Sequence, residues 1–415
     1  MSGAEVATPE VFPMSRFWAI FSTQSISLLG SQIVQFSLVW WLTKMSGSAS
    51  VLAVASIMAL LPQVFISPIA GAYVDRWNRR RIMIAADTLI ALMVLVIAAL
   101  YAFGVVQVWH VYALMFLRAV GGAFHNPAMQ ASTTLMVQKE NLSRIAGLNQ
   151  ALFGLVNILA PAIGALLFEV WPLQNVLMID VGTAAIAVAI LLLTKIPQQR
   201  RDPGDATKSL YSDLMEGVRY LVHWRGGLYL MLGAVLVNLF FVPAVSLTAI
   251  LVQRFFGGEA LQYASIESML GIGMVVGGVS LGVWGGFKSK VKTAMLALAA
   301  AGVGSAVVGL LPSSAFLLAV ACFFLIGLML PLINGSIFSL LQAVIPPELQ
   351  GRILTIVVAT SSAMAPVGLS VAGPVSDAFG VQVWFVVGGL VMVFFGVLSF
   401  FVPSMRDMEK TGSSA

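Results

Sequence analysis

The sequence predicts an all-α polytopic membrane protein of twelve helices, arranged as two pseudo-symmetric bundles of six. Three observations carry this fold class. Apolar residues fill 59% of the 415 positions and charged ones only 9%, whereas an average soluble domain carries roughly 25% charged residues. Twelve apolar runs are each long enough for the roughly 20 residues that a bilayer crossing needs. A single long polar stretch, 197–226, divides those runs six and six.

The tail 1–15 holds Glu5 and Glu10 but no basic cluster, so no cleavable signal is expected there. The first run lies near 16–43, followed by runs near 49–74, 80–102, 108–135, 142–168 and 172–196, which complete an N-terminal bundle over 16–196. Residues 197–226 read as a cytoplasmic linker, with an amphipathic helix from about 209 to 223. Runs near 227–253, 260–285, 291–311, 314–341, 351–374 and 380–402 form a second bundle over 227–403, ahead of a tail at 404–415. In this register all nine tryptophans fall at or just beyond run ends, at the headgroup level that indole prefers. The single cysteine, Cys322, lies inside a run and reads as a packing residue, and the three histidines show no metal-ligand spacing.

Charge sets the orientation. With a cytoplasmic N-terminus, inward loops and tails hold 19 of the 22 basic residues. Only Lys44 and Arg254 fall outside, and Arg118 lies within a span. The positive-inside rule then places both termini in the cytoplasm. It also accounts for the net charge of +5 without a nucleic-acid partner.

The two halves echo each other. Glu140 precedes Arg144 ahead of span 5, and Glu348 precedes Arg352 ahead of span 11, each at the spacing that pairs on one helical turn. Ala160-Pro161 with Gly164 is matched by Ala365-Pro366 with Gly368. Parallel repeats related by an axis along the membrane normal are the plan of one large transporter fold. Between spans 2 and 3 the sequence reads Gly71-x-x-x-Asp75-Arg76-x-Asn78-x-Arg80-Arg81. This resembles the loop signature of the major facilitator superfamily, with Asn78 where the family has Gly; Asn is the substitute best able to adopt a left-handed turn. Over all twelve spans the chain looks most like bacterial macrolide-efflux exporters, through "LTKMSGSASVLAVAS", "VDRWNRRRIMIAAD" and "RAVGGAFHNPAMQA". Siderophore exporters of the enterobactin type share these features and are the alternative. The resemblance implies a cytoplasmic latch built from Gly71, Asp75, Arg76, Arg80 and Arg81, near the Glu140–Arg144 and Glu348–Arg352 pairs. Part of the cluster's basicity is positive-inside orientation, a role that Arg79, outside the spaced signature, could exemplify.

No phosphate loop of the G-x-x-x-x-G-K-[ST] form occurs, so no ATP hydrolysis by that route and no cofactor are expected. A proton gradient is the expected source of energy. One charge moved across 100 mV releases about 2.3 kcal/mol, enough for roughly a fifty-fold gradient of a neutral solute. An ionisable group inside a span is costly and therefore a candidate proton carrier. Arg118, about 15 Å into span 4 by helix rise, resembles the buried arginine of proton-coupled relatives. Asp180 and Glu267 in the outer half are candidates that could switch as a cavity opens. Asp87 is a fourth, though its place suits a structural partnership with the basic loop below it.

Spans 1, 4, 7 and 10 line the central cavity in the family that the chain resembles. Gln24, Ser31 and Gln35 then become substrate candidates, with His125 and Met129 in span 4, Asn238 and Phe241 in span 7, and Asn334 and Phe338 in span 10. Phe, Met and Gln with few charges suit a bulky, mostly apolar small molecule. The same amides could instead bond neighbouring helices. Gly278-Val-Ser280-Leu-Gly282 fits a hydrolase elbow by spelling alone; that motif needs a strand-turn-helix setting, and Gly273, Gly277, Gly278 and Gly282 read instead as a helix-packing stripe. No catalytic constellation supports an enzyme. The expected protein is a monomeric secondary exporter whose partners are lipid, protons and one small substrate.

Overall fold

The computed structural model describes residues 12–74, 76–198, 210–406 and 408, and every regular element among them is helical. Asp75 lies outside the described residues, as does the side chain of Glu348. The first half comprises α1 (Met14–Ser46), α2 (Ala49–Val74), α3 (Arg79–Ala102), α4 (Val108–Met136), α5 (Leu142–Val170) and α6 (Leu173–Leu193). The amphipathic α7 (Leu210–His223) leads into α8 (Arg225–Ser246), the short turn α9 (Thr248–Ile250) and a π turn, Leu251–Phe255. There follow α10 (Ala260–Trp284), α11 (Lys290–Leu310), α12 (Phe316–Val344), α13 (Pro347–Ser362), α14 (Met364–Phe379), α15 (Gln382–Leu398) and α16 (Pro403–Arg406).

By length and composition, ten spans among the described residues can cross a membrane, α13 and α14 together forming one. The 17-residue α15 is shorter, and α4 falls short because Arg118, His125, Asn126 and Gln130 interrupt its apolar sequence. Two predicted runs are broken. Span 11 stops at Ala363 between α13 and α14. Pro366, with no N–H, cannot bond the carbonyl four residues back, so the helix loses a rung at Ser362. Span 7 ends in the π turn rather than as one helix.

Trp384 lies in the first turn of α15, and α1 continues past Trp40 and Trp41 to Ser46; all three rings are buried against the protein. Asn78 does not take a left-handed turn. It is extended at φ −70° and caps α3, its side-chain oxygen accepting from the Arg81 N–H; a short polar side chain at a helix start gains more by capping than by turning.

The repeated Ala-Pro motifs do the same work in each half. Gly164 of α5 lies against the Ile33 carbonyl and Phe36 ring of α1, while Gly368 of α14 lies against the Leu239 carbonyl and Pro243 of α8. Each seats the fifth helix of its half on the first. The glycine stripe of α10 divides in two. Gly273 and Gly277 abut the α12 backbone between Phe324 and Leu328, whereas added atoms at Gly278 and Gly282 would meet open space. Gly277→Ala is therefore expected to destabilise the fold by about 1–3 kcal/mol through overpacking, with Gly278→Ala near neutral. Thermal unfolding of the two variants checks this, and equal effects would discard the packing account.

The halves touch at one end and part at the other. At the end away from the basic loops, Gly373 of α14 packs on Ser50 and Ala53 of α2. At mid-height Gly271 of α10 meets Asn157 of α5, and Gly154 meets Val275. Toward the basic end, Gly71, Gly147 and Gly351 have nothing within 4 Å of an added Cβ. The molecule is open toward its basic loops.

Candidate functional site

A cavity of about 440 Å³ lies within the first half, lined from α1, α2, α3, α4 and α5. Close approach of α1 and α6 prepares its deepest part, since Gly30 faces Thr183 with no room for a side chain. One turn on, Ser31 and Asp180 meet. Arg118 donates to Asp180 Oδ2 at 2.7 Å and to the Ser31 carbonyl at 2.8 Å, and the Ser31 hydroxyl donates to Asp180 Oδ1 at 2.6 Å. Asp180 has 1% of its side chain exposed and does not line the cavity; Arg118, at 11%, does. The two charges expected as separate candidates form one buried pair.

Nearer the basic loops is a second cluster. Gln24 donates to Asp87 Oδ2 at 3.1 Å. His125 Nε2 stands 3.3 Å from Asp87 Oδ1, an ion-pair distance at an angle that makes no hydrogen bond. Asp87 therefore turns into the cavity and does not partner the basic loop. The arginines of that loop have other acceptors. Arg80 donates to the carbonyls of Leu191 and Leu192 at the end of α6, and the buried Arg79 donates to the Ala131 carbonyl. Arg79 is thus a structural residue as well as a topological one.

Glu267 of α10 lines a separate cavity of about 260 Å³ between the halves, with Gln32, Gln35, Asn157 and Tyr263. The Tyr263 ring stacks on Phe36 and Trp40, with centroids at 4.9 and 5.8 Å. Gln32 and Gln35 line both cavities. Of the remaining candidates, Ser31 and Met129 line the larger one.

The second half does not repeat this arrangement. Phe241 is buried in the core, and Asn238 donates to Ala234 of its own helix. Asn334 and Phe338 are exposed, and none of the four lines either cavity. Glycine contacts explain Phe241: Gly368 and Gly388 bring α14 and α15 onto the α8 backbone at Leu239–Phe241, drawing that stretch inward.

At the basic end, Glu140 falls in a 3-10 turn ahead of α5, so it does not share an α-helical turn with Arg144, and no ion pair joins them among the described residues. Arg352 donates to Glu216 of the linker helix at 2.5 Å. Gly71 faces open space, and the side chains of Arg76 and Arg81 are exposed.

At the opposite end the structure holds a latch the sequence had hidden. Asp377, in the last turn of α14, accepts from the Ser48 hydroxyl at 2.8 Å and from the Ala49 and Ser50 N–H groups at 2.8 and 2.9 Å. It thereby caps the first turn of α2 from the other half, where a helix N-terminus favours an anion. Lys44 meets Glu259 at 3.4 Å across the halves, while Arg254 meets Asp377 at 3.1 Å from within the second half. The two basic residues that broke the positive-inside pattern are the cations of this latch.

A family model for the Major Facilitator Superfamily matches residues 20–369. The chain belongs to the Major Facilitator Superfamily. Among its relatives, Macrolide efflux protein A of Streptococcus pyogenes is 32% identical over 400 residues, which covers 95% of this chain and 97% of that one. The Multidrug efflux pump Tap of Mycolicibacterium fortuitum is 26% identical over 390 residues, 92% and 93% of the two chains. Among solved structures, nucleoside transporter NupG superposes with a TM-score of 0.71 at 12% identity, covering 93% of this chain and 99% of that one, a likeness of fold alone. In this superfamily member the larger cavity lies within the first half and the smaller one between the halves.

Proposed function

We propose that this chain is a proton-coupled exporter of macrolides or similar drugs, working by alternating access as a monomer in the bacterial inner membrane. The observation that carries the reading is a cavity with buried charge clusters, open at the basic end and latched at the other. Its relatives named for macrolide and multidrug efflux support the direction and the cargo class; none of them favours a siderophore. On this reading the basic end is cytoplasmic by the positive-inside rule, with both termini on that side, and substrate enters from within. Export follows when the far latch parts and the basic end closes. Gly71 of α2 then packs on the other half, with Asp75, Arg76, Arg80 and Arg81 facing the start of span 11 beside Glu348 and Arg352, and Glu140 and Arg144 at the paired position. Arg118–Asp180, Asp87–His125 and Glu267 are the groups that exchange the proton, and no cofactor takes part.

Inverted vesicles test this directly. Acid-inside vesicles holding the wild type are expected to accumulate a radiolabelled macrolide, and an uncoupler to abolish it. Macrolide-driven proton release should fall in Asp180→Asn, Glu267→Gln or both. Release unchanged in the two variants and in their combination would remove these carboxylates from the coupling step. Accumulation indifferent to the uncoupler would remove the proton altogether.

A further inference from the structure

Six amide side chains line the larger cavity with no bonding partner among the described residues. Gln32 and Gln35 come from α1, Gln63 from α2, Asn126 and Gln130 from α4 and Asn149 from α5. None makes a side-chain hydrogen bond among the described residues. Gln24, by contrast, is committed to Asp87. An amide within a membrane span ordinarily bonds a neighbouring helix. Here that role is absent, and the six groups converge on one space from four helices.

The one cation on this wall among the described residues is already matched: Arg118 is held by Asp180. An anionic ligand would find no free counter-charge there, and Asp87, which accepts from Gln24 with His125 at 3.3 Å, lies to one side of the amides. A wholly apolar ligand would displace water and leave six amides unsatisfied, each such loss costing more than a hydrogen bond gains. Each amide offers one oxygen acceptor and two N–H donors, so the ligand face that satisfies the wall is uncharged and carries hydroxyl and carbonyl or ether oxygens. The backbone also leaves room for it. α4 presents Gly122 opposite Gln63, whose Nε2 lies 4.0 Å from where a Cβ would sit.

We propose that this amide wall is the specificity-determining surface of the cavity, reading a neutral, polyhydroxylated face of the substrate through Gln63, Asn126 and Gln130 in particular. This rests on the exporter reading above, and it replaces the mostly apolar ligand expected from the sequence with one that is apolar on one side and oxygen-rich on the other.

The test compares two ligands of equal charge and nearly equal size: a hydroxyl-bearing macrolide and its O-methylated derivative, which keeps acceptors but loses donors. Affinities are measured for purified wild type, Gln63→Met, Asn126→Leu and Gln130→Met. Wild type should bind the parent more tightly. Each substitution should weaken the parent by about 3- to 10-fold, the range of one hydrogen bond, and the derivative by less than about 2-fold on the same scale. Substitutions that weaken both ligands equally, or neither, overturn the inference while leaving an exporter in place. Wild type that binds neither ligand overturns the macrolide reading beneath it. If one variant does not fold, the other two, on different helices or turns, carry the same comparison.

Discussion

Arg118→Met should destabilise the protein by about 3–5 kcal/mol, because it strands Asp180 as a buried charge without its partner. Asp180 has 1% side-chain exposure and a second bond only from Ser31. Asp180→Leu should cost a similar amount for the mirror reason, leaving the guanidinium with the Ser31 carbonyl alone. The double variant Arg118→Met/Asp180→Leu removes both charges and should recover most of the loss, since a well-packed apolar pair commonly replaces a buried ion pair without penalty. Transport should fail in all three. Thermal unfolding of the purified set reads the stability, and vesicle uptake reads the function. Recovered stability with lost transport assigns the pair to the transport cycle. Stability losses that simply add in the double variant would mean the two groups are not energetically coupled. Recovery of both stability and transport would make the pair a structural relic.

The second large effect lies at the other end. Asp377→Asn should shift the resting equilibrium toward the state open away from the basic loops. The substitution removes a charged acceptor shared by Ser48, Ala49 and Ser50, together with the Arg254 contact. With Asp377 27% exposed and Arg254 47% exposed, the ion pair itself contributes little, and the capping bonds carry the effect. A loss of about 2 kcal/mol corresponds to roughly a 30-fold change in population. Ala53, buried beneath Gly373, supplies the reporter as Ala53→Cys in a Cys322→Ala background. An impermeant maleimide should label it far faster once Asp377 is changed. Equal labelling rates would show that apolar packing of α2 on α14, and not the carboxylate, holds this end shut.

Much of this fold was readable from the sequence because run length and loop charge are properties of local sequence. The helices of the first half lie within a few residues of their predicted bounds for that reason. What local sequence lacks is the partner. Arg118 and Asp180 each stand out as costly residues in a span, yet nothing in α4 or α6 alone says that Gly30 lets α1 bring them together. Lys44 and Arg254 look like exceptions to an orientation rule until Glu259 and Asp377 are seen beside them. Phe241 has the right spacing for a cavity stripe and the wrong neighbours. Gln63 and Asn149 sit on helices outside the four expected to line the cavity, although an unexplained amide in an apolar run was itself the signal.

The latch also sets what the surrounding medium can do. Lys44 and Glu259 are 57% and 65% exposed, well within reach of dissolved ions, and the Debye length falls from about 30 Å at 0.01 M salt to about 8 Å at 0.15 M. The Asp377 cap on α2 is shielded from that screening by its direct backbone bonds. Dilute buffer therefore favours the conformation seen here more strongly than a saline exterior does. On the proposed orientation the latched end faces the exterior, so the salt that screens it is the one the cell does not control.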